Sequence, residues 1–221
     1  MSTHEKNIGF QEEKLARYIS DHSTEEDPLL KELSRETFVK IYHPRRSSNH
    51  LSGKLLEMIS FMTRPHRILE IGTFTGYGAI CLARGMAQVG ILHTIEINDE
   101  LEDFTRRWFE KAGLQDKIEL HIGDALQLIP YIKESFDLVF IDGEKNQYCD
   151  YYNAVIEKVK SGGFIIADNV LWSGKVVSDD ISENDHFTRG IRKFNKMIQD
   201  DPRVENMILP AFDGLMIIRK K

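Results

Sequence analysis

The chain has 221 residues, 41% of them hydrophobic and 29% charged, with a net charge of −6. That length buries a sizeable core without disulfide or metal staples and excludes a mini-protein or a disordered tail. The acidic balance disfavours a nucleic-acid or anionic-membrane partner, and no apolar run reaches the roughly 18 residues of a membrane span.

The first 65 residues are predicted helical: "FQEEKLARYIS", "PLLKELSRETFVKIYH" and "HLSGKLLEMISFM", the last with Leu51, Leu55, Ile59 and Met62 at helical spacing. A polar loop, "PRRSSN", separates the second from the third. The N-terminus has no signal-peptide core. Cys81 and Cys149 form no C-x-x-C pair, which fits a reducing cytoplasm.

From Arg67 onward strand-like runs alternate with helical ones: "RILEIG", "ILHTIEI", "IELHIGD", "FDLVFID", "GFIIADN", "NMILPA" and "GLMIIRKK". The helix opened by Asn98 and Asp99 places Leu101, Phe104 and Trp108 on one side and stops at Gly113. That from His186 to Gln199 places Phe187, Ile191, Phe194 and Ile198 together. Such alternation predicts a doubly wound, mostly parallel α/β sheet. The last two strands are joined through a short "FDG", too short for a parallel crossover, so the last strand is expected to be antiparallel. The expectation is one domain over 1–221: a helical part, 1–65, and a Rossmann-like core, 66–221.

The segment "RILEIGTFTGYGAICLARG" is a strand, a glycine turn and a helix, but its glycines run G-x-x-x-G-x-G, at Gly72, Gly76 and Gly78, not in the dinucleotide spacing. Glu70 precedes the turn, where a pyrophosphate would be repelled and an ammonium welcomed. Glu96 ends the next strand, placed to accept ribose hydroxyls, and Asp124–Ala125 follow a third, where adenine would lie. Ammonium, ribose and adenine without phosphate describe S-adenosylmethionine. The bland alternative for the turn alone is a structural loop.

Two further strand ends carry Asp142, with Lys145 three residues on, and the pair Asp168–Asn169. Three hard oxygen donors suit Mg²⁺ or a similar cation such as Mn²⁺ or Ca²⁺, not zinc. Adjacent strand residues face opposite ways, so the chain must already be turning at Asp168 for both to ligate. A turn or helix cap is the plain alternative for that pair. No H-x-x-x-H or Cys/His cluster competes as a metal site, and the eight histidines are scattered, each expected to be structural or exposed.

The stretches "LEIGTFTGYGAICLA", "GLQDKIELHIGDALQLIP", "FDLVFIDGEKNQYCDYY" and "GGFIIADNVLWSGKV" resemble the cation-dependent O-methyltransferases of the caffeoyl-CoA and catechol type, in the family's order and from about Glu26 to the end. The resemblance implies a class I methyltransferase fold of seven strands, the last antiparallel, with helices on both faces. It also implies a homodimer. Carried over, Glu70, Gly72 and Thr73 would contact the methionine part, Ser48 and position 78 the cofactor carboxylate, Glu96 the ribose, and Asp124–Ala125 the adenine. Asp142, Asp168 and Asn169 would ligate the metal, and Lys145 would act as the catalytic lysine with Asp142 beside it. Asp142 and Glu144 would border the cofactor. Three places depart from the family: Gly78 stands where a serine is usual, Arg46 and Asn49 alter the pocket entrance, and Ser173 follows Trp172 where plant enzymes have asparagine.

The expected reaction is methyl transfer to one of two vicinal hydroxyls of a catechol or hydroxycinnamoyl-type acceptor. A hydroxyuridine of transfer RNA is an alternative acceptor, with "HPRR" and "RGIRKFNK" as basic patches. An NAD-dependent oxidoreductase and a catalytically dead nucleotide-binding module are rival readings. Glycine spacing speaks against the first, and the set Asp142, Lys145, Asp168 and Asn169 against the second.

Overall fold

A computed structural model describes residues 14–44 and 47–221. Arg46 and the start of the first predicted helix lie outside the described residues, as does Arg45 of the basic "HPRR". A helical segment covers 14–21. It is followed by α1 (Pro28–Lys40), α2 (His50–Thr63), β1 (Arg67–Ile71), α3 (Tyr77–Gly85), β2 (Ile91–Glu96), α4 (Glu102–Lys111), β3 (Ile118–Ile122), α5 (Ala125–Leu128), β4 (Phe136–Ile141), α6 (Tyr148–Val155), β5 (Val159–Ala167), α7 (His186–Asp200), β6 (Val204–Leu209) and β7 (Leu215–Lys220).

The strands form one sheet in the order β3-β2-β1-β4-β5-β7-β6. The strands β1 to β5 pair parallel, and β7 runs antiparallel to both β5 and β6, as its short connection requires. The order reverses between β1 and β4, so the crevice at their carboxyl ends is where this architecture binds ligands.

Two apolar layers cover the sheet. On one face Leu30 and Leu33 of α1, Leu56 of α2, Ile80 and Leu82 of α3 and Trp108 of α4 pack over Ile68, Leu92 and Leu138. On the other, Tyr148, Tyr152 and Val155 of α6 and Ile191, Phe194 and Ile198 of α7 pack over Leu69, Val139 and Ile165. Each large buried side chain stabilises the fold by roughly 1.5–3 kcal/mol. Polar clamps hold the helical part on: Trp108 Nε1 donates to Glu36 at 3.0 Å, Tyr77 Oη to Glu26 at 2.9 Å, and Arg84 pairs with Asp27, the cap of α1.

Three details differ from the sequence reading. Leu51, Leu55, Ile59 and Met62 lie on one helix, α2, as their spacing predicts, with Leu55 and Ile59 partly buried against the core, but they are not its most buried face. Its buried face is Gly53, Leu56, Glu57 and Ser60. The helices α2 and α3 approach so closely that a Cβ on Gly85 would meet the Phe61 backbone nitrogen at 2.4 Å, and one on Gly53 would meet the Tyr77 ring at 2.3 Å. Gly53, Ser60 and Gly85 therefore take the points of closest approach, and Met62 is left 74% exposed. Phe187 is likewise outside the core of α7, leaning on Trp172 at 5.9 Å between centroids, while Thr188 is buried in its stead. Finally, β5 starts at Val159, four residues early. Its register with β4 shifts between Phe136 and Leu138, at a bulge where Gly162 has φ 80°.

Candidate active site

The glycine turn leaves β1 toward the crevice. Gly72 has φ 99°, and a Cβ there would meet the Asp142 carbonyl oxygen at 2.5 Å, so β1 and β4 come together at their ends only because position 72 lacks a side chain. A narrow cleft opens there, lined among others by Ser48, Glu70, Gly72, Thr73, Gly78 and Asp142. Six of the residues singled out in the sequence thus share one site.

Glu70 is 1% exposed. Its partner is Thr94, its register neighbour on β2, whose hydroxyl donates to Glu70 Oε2 at 2.5 Å and lies 2.5 Å from the Thr73 hydroxyl. Burial pushes the Glu70 carboxyl up to about 8; the Thr94 hydrogen bond opposes this, while Asp142 and Glu96 add to it. A cationic group entering the cleft would find a buried acid that ionises on its arrival. Gly78 is part of this arrangement. A Cβ there would sit 2.7 Å from Glu70 Oε1, so the missing side chain leaves the space that the carboxylate occupies.

Glu96 at the end of β2 is buried, and its two oxygens accept from the Phe74 and Asn98 amides at 2.7 and 2.9 Å. It thereby braces the glycine turn, and it is not among the residues lining the cleft. Asp124 caps α5, accepting from the Leu126 amide at 2.9 Å, with Ala125 buried behind it. Glu144 is exposed at the start of a 3₁₀ turn, Lys145–Gln147.

Beside the cleft, Asp168 Oδ1 accepts from its neighbour's amide, Asn169 N, at 2.7 Å, and the Asp168 amide donates to the Ile141 carbonyl at 3.0 Å. This places Asp168 next to Asp142 on the adjacent strand end. Burial and then the Asp142 charge raise the Asp168 carboxyl to about 6. Asn169 has φ 58°, so the chain is turning there as expected, in a conformation asparagine tolerates. The donors Asp142, Asp168 and Asn169 are all hard oxygens at neighbouring strand ends. A divalent cation between the two acids would relieve their repulsion, so the set fits Mg²⁺ or a similar ion.

Lys145 Nζ donates to Asp142 Oδ1 at 2.6 Å and to Tyr148 Oη at 2.7 Å. Tyr148 Oη in turn lies 3.0 Å from the Asp168 carbonyl oxygen, to which it donates. Tyr148 and Thr94 are site residues that sequence reasoning missed. The first was signalled by its spacing of three from Lys145, the second by a lone hydroxyl in an apolar strand. A further correction concerns the histidines: His93 and His121 are not scattered but meet across β2 and β3, with Glu119.

A family model described as O-methyltransferase matches residues 20–221. A caffeoyl-CoA O-methyltransferase of Eucalyptus gunnii is 34% identical over 224 residues, which cover 95% of this chain and 88% of the relative. One of Petunia hybrida is 34% identical over 225 residues, covering 95% and 91%. Among solved structures, an O-methyltransferase from Bacillus cereus in complex with SAH superposes with a TM-score of 0.86 at 30% identity, covering 94% of this chain and 97% of that one. An SAH-bound methyltransferase from Podospora anserina gives 0.87 at 26%, covering 100% and 98%.

Proposed function

The chain belongs to the O-methyltransferase family, and from that premise we propose that it moves the methyl group of S-adenosylmethionine to one of two vicinal hydroxyls of a catechol-like or hydroxycinnamoyl-type small molecule, aided by a divalent cation. The observation that carries this reading is the juxtaposition at the β1/β4 switch point. A buried acid suited to an ammonium, Glu70, opens on the same cleft as Asp142, whose other side meets Lys145.

Glu70, Thr73 and Ser48 would take the amino-acid end of the cofactor, Glu96 its ribose and Asp124–Ala125 its adenine. Asp142, Asp168 and Asn169 would hold the cation, which when bound supplies a Lewis acid that lowers the pKa of a chelated hydroxyl. Lys145 stands at the edge of this set, buried enough for its direction to be fixed by Asp142 and Tyr148. It would accept the hydroxyl proton or offset the developing oxyanion charge. Tyr148 keeps it there, because its own hydroxyl is anchored on the Asp168 backbone. The remaining contribution is alignment of oxygen with the methyl carbon, an orientation effect.

The relatives named caffeoyl-CoA O-methyltransferase support a phenolic acceptor. Of the basic segment weighed for transfer RNA, Arg192 is occupied within the chain, donating from Nε to the Val176 carbonyl at 2.7 Å. A homodimer fits the apolar side chains left exposed on α1 and α2, among them Phe38, Val39, Phe61 and Met62. No helix among the described residues is long and apolar enough to cross a membrane. The test is methyl transfer from S-adenosylmethionine to a catechol, with and without chelator. Turnover that chelator abolishes and Mg²⁺ restores supports the reading, and full activity in chelator removes the cation from it.

A further inference from the structure

The second cluster of metal-ligating side chains lies away from the cleft, on the sheet face. In the parallel register of β2 and β3, His93 sits opposite Glu119 and Ile95 opposite His121. Side chains alternate along a strand, so His93, Glu119 and His121 share one face. His93 Nδ1 lies 3.1 Å from His121 Nε2 and 3.2 Å from Glu119 Oε2. Donors bound tetrahedrally at zinc distances stand about 3.3 Å apart, close to both spacings.

The other nitrogen of His93 points to the same conclusion. His93 is 5% exposed, and its Nε2 is buried without a hydrogen-bond partner, 3.7 Å from Glu134 Oε2. Glu134 is itself ion-paired with Arg67. If the ring proton sits on Nδ1, a lone pair on Nε2 faces a carboxylate in a buried place, which is unfavourable. If it sits on Nε2, it points toward Glu134, and the Nδ1 lone pair converges with the Glu119 carboxylate and the His121 nitrogen. In that second tautomer the Nδ1 lone pair is free to take either a proton from His121 Nε2, 3.1 Å away, or a cation at the convergence of the three donors.

We propose that His93 Nδ1, His121 Nε2 and the Glu119 carboxylate bind a transition-metal ion of the zinc class, with Glu134 and Arg67 orienting His93 from behind. Two imidazoles and a carboxylate suit zinc, in contrast to the all-oxygen set at the strand ends. A carboxylate behind the ligating histidine is the outer arrangement that fixes ring and tautomer at such sites. The ion would tie the edge strand β3 to β2. It lies three residues before Glu96 on β2, about 10 Å along the strand, and is independent of the methyl-transfer reading.

The experiment uses the full chain, dialysed against EDTA, with Asp168→Asn present throughout to weaken the strand-end oxygens. Zn²⁺ is titrated calorimetrically, and Co²⁺ replaces it for visible absorption. One Zn²⁺ per chain, a tetrahedral Co²⁺ spectrum and a raised thermal midpoint are expected. His121→Gln should lose the spectrum and the thermal gain. Glu134→Gln should bind about 10- to 100-fold more weakly, as loss of an outer partner does. Because Glu119 is exposed, Glu119→Gln keeps the test usable if His121→Gln fails to fold; it should lower affinity at least as much as Glu134→Gln. Equal Zn²⁺ uptake in the Asp168→Asn chain with and without Glu119→Gln overturns the proposal by placing the ion elsewhere. No uptake at all overturns it too.

Discussion

The carboxyl edge of the sheet and the middle of β2–β3 both gather ionisable side chains, but they stabilise them differently. At the edge the chain is leaving the ladder, so backbone amides are free. Glu96 takes two of them, and Asp124 and Asp168 one each. Along β2 and β3 the side chains stand off the sheet face, away from the ladder's amides, so His93 meets Glu119, His121 and Glu134 instead, and its Nε2 is left without a hydrogen-bond partner. Acids at strand ends are thus rigid before anything binds, while the mid-sheet cluster awaits a cation to complete it. The comparison also separates chemistry: oxygen donors and a lysine at the strand ends beside the cleft, and two imidazoles with one carboxylate on the face of the edge strand and its neighbour.

The largest effects should come from testing whether the edge groups do chemistry or only brace turns. Lys145→Arg keeps a positive charge beside Asp142 but cannot give up its proton at working pH. Single-turnover methyl transfer should fall by about 10²–10⁴-fold, the size of a lost general base, while S-adenosylhomocysteine binding is retained. A wild-type rate would reduce Lys145 to an electrostatic aid. Asp168→Ala should lose roughly 10²–10³-fold in rate and the Mg²⁺ rescue with it, cofactor binding again surviving.

Glu96 is the place where bracing and binding overlap. Glu96→Ala should weaken S-adenosylmethionine by about 1–3 kcal/mol in a calorimetric titration, and lower the thermal midpoint because the Phe74 and Asn98 amides lose their acceptor. Lower stability with unchanged affinity would make Glu96 a brace alone.

A pH profile sharpens the contrast at Glu70. Its folded value, about 8, lies above the unfolded one, so between the ordinary carboxylate range and about 8 the free protein holds a proton that the unfolded chain has released. This group's contribution to stability therefore declines as pH rises through that window. Binding an ammonium expels the proton, so S-adenosylhomocysteine affinity should climb from pH ~6 to ~8, by up to about tenfold per unit. Glu70→Gln should flatten the profile, and an unchanged slope in that variant would assign the proton elsewhere.

The smallest expected effect is at Gly78. Gly78→Ala presses a methyl on Glu70 Oε1, which must turn away from Thr94. A loss of cofactor affinity of about 1 kcal/mol is expected, the size of one hydrogen bond. Unaltered affinity would mean that the carboxylate has a second acceptable position.

The sequence alone determined what sits at each strand end: Glu70 before a glycine turn, Glu96, Asp124, Asp142 and the Asp168–Asn169 turn. Each follows a short apolar run that can only be a strand, so its place in the fold is local information. The antiparallel β7 was legible for the same reason, a connection too short for anything else. What only the tertiary structure decided are partnerships across the sheet and between helices. Thr94 reaches Glu70, and His93 meets Glu119 and His121, through strand registers that join residues 24 to 28 positions apart. The buried face of α2 was decided by how closely its backbone approaches α3 at Gly53 and Gly85, which leaves Met62 outside although its spacing matches the apolar set. Periodicity reports which way a side chain points along its own element. It carries nothing about which element lies opposite, and that pairing turned an apolar strand's lone threonine and two separate histidines into parts of sites.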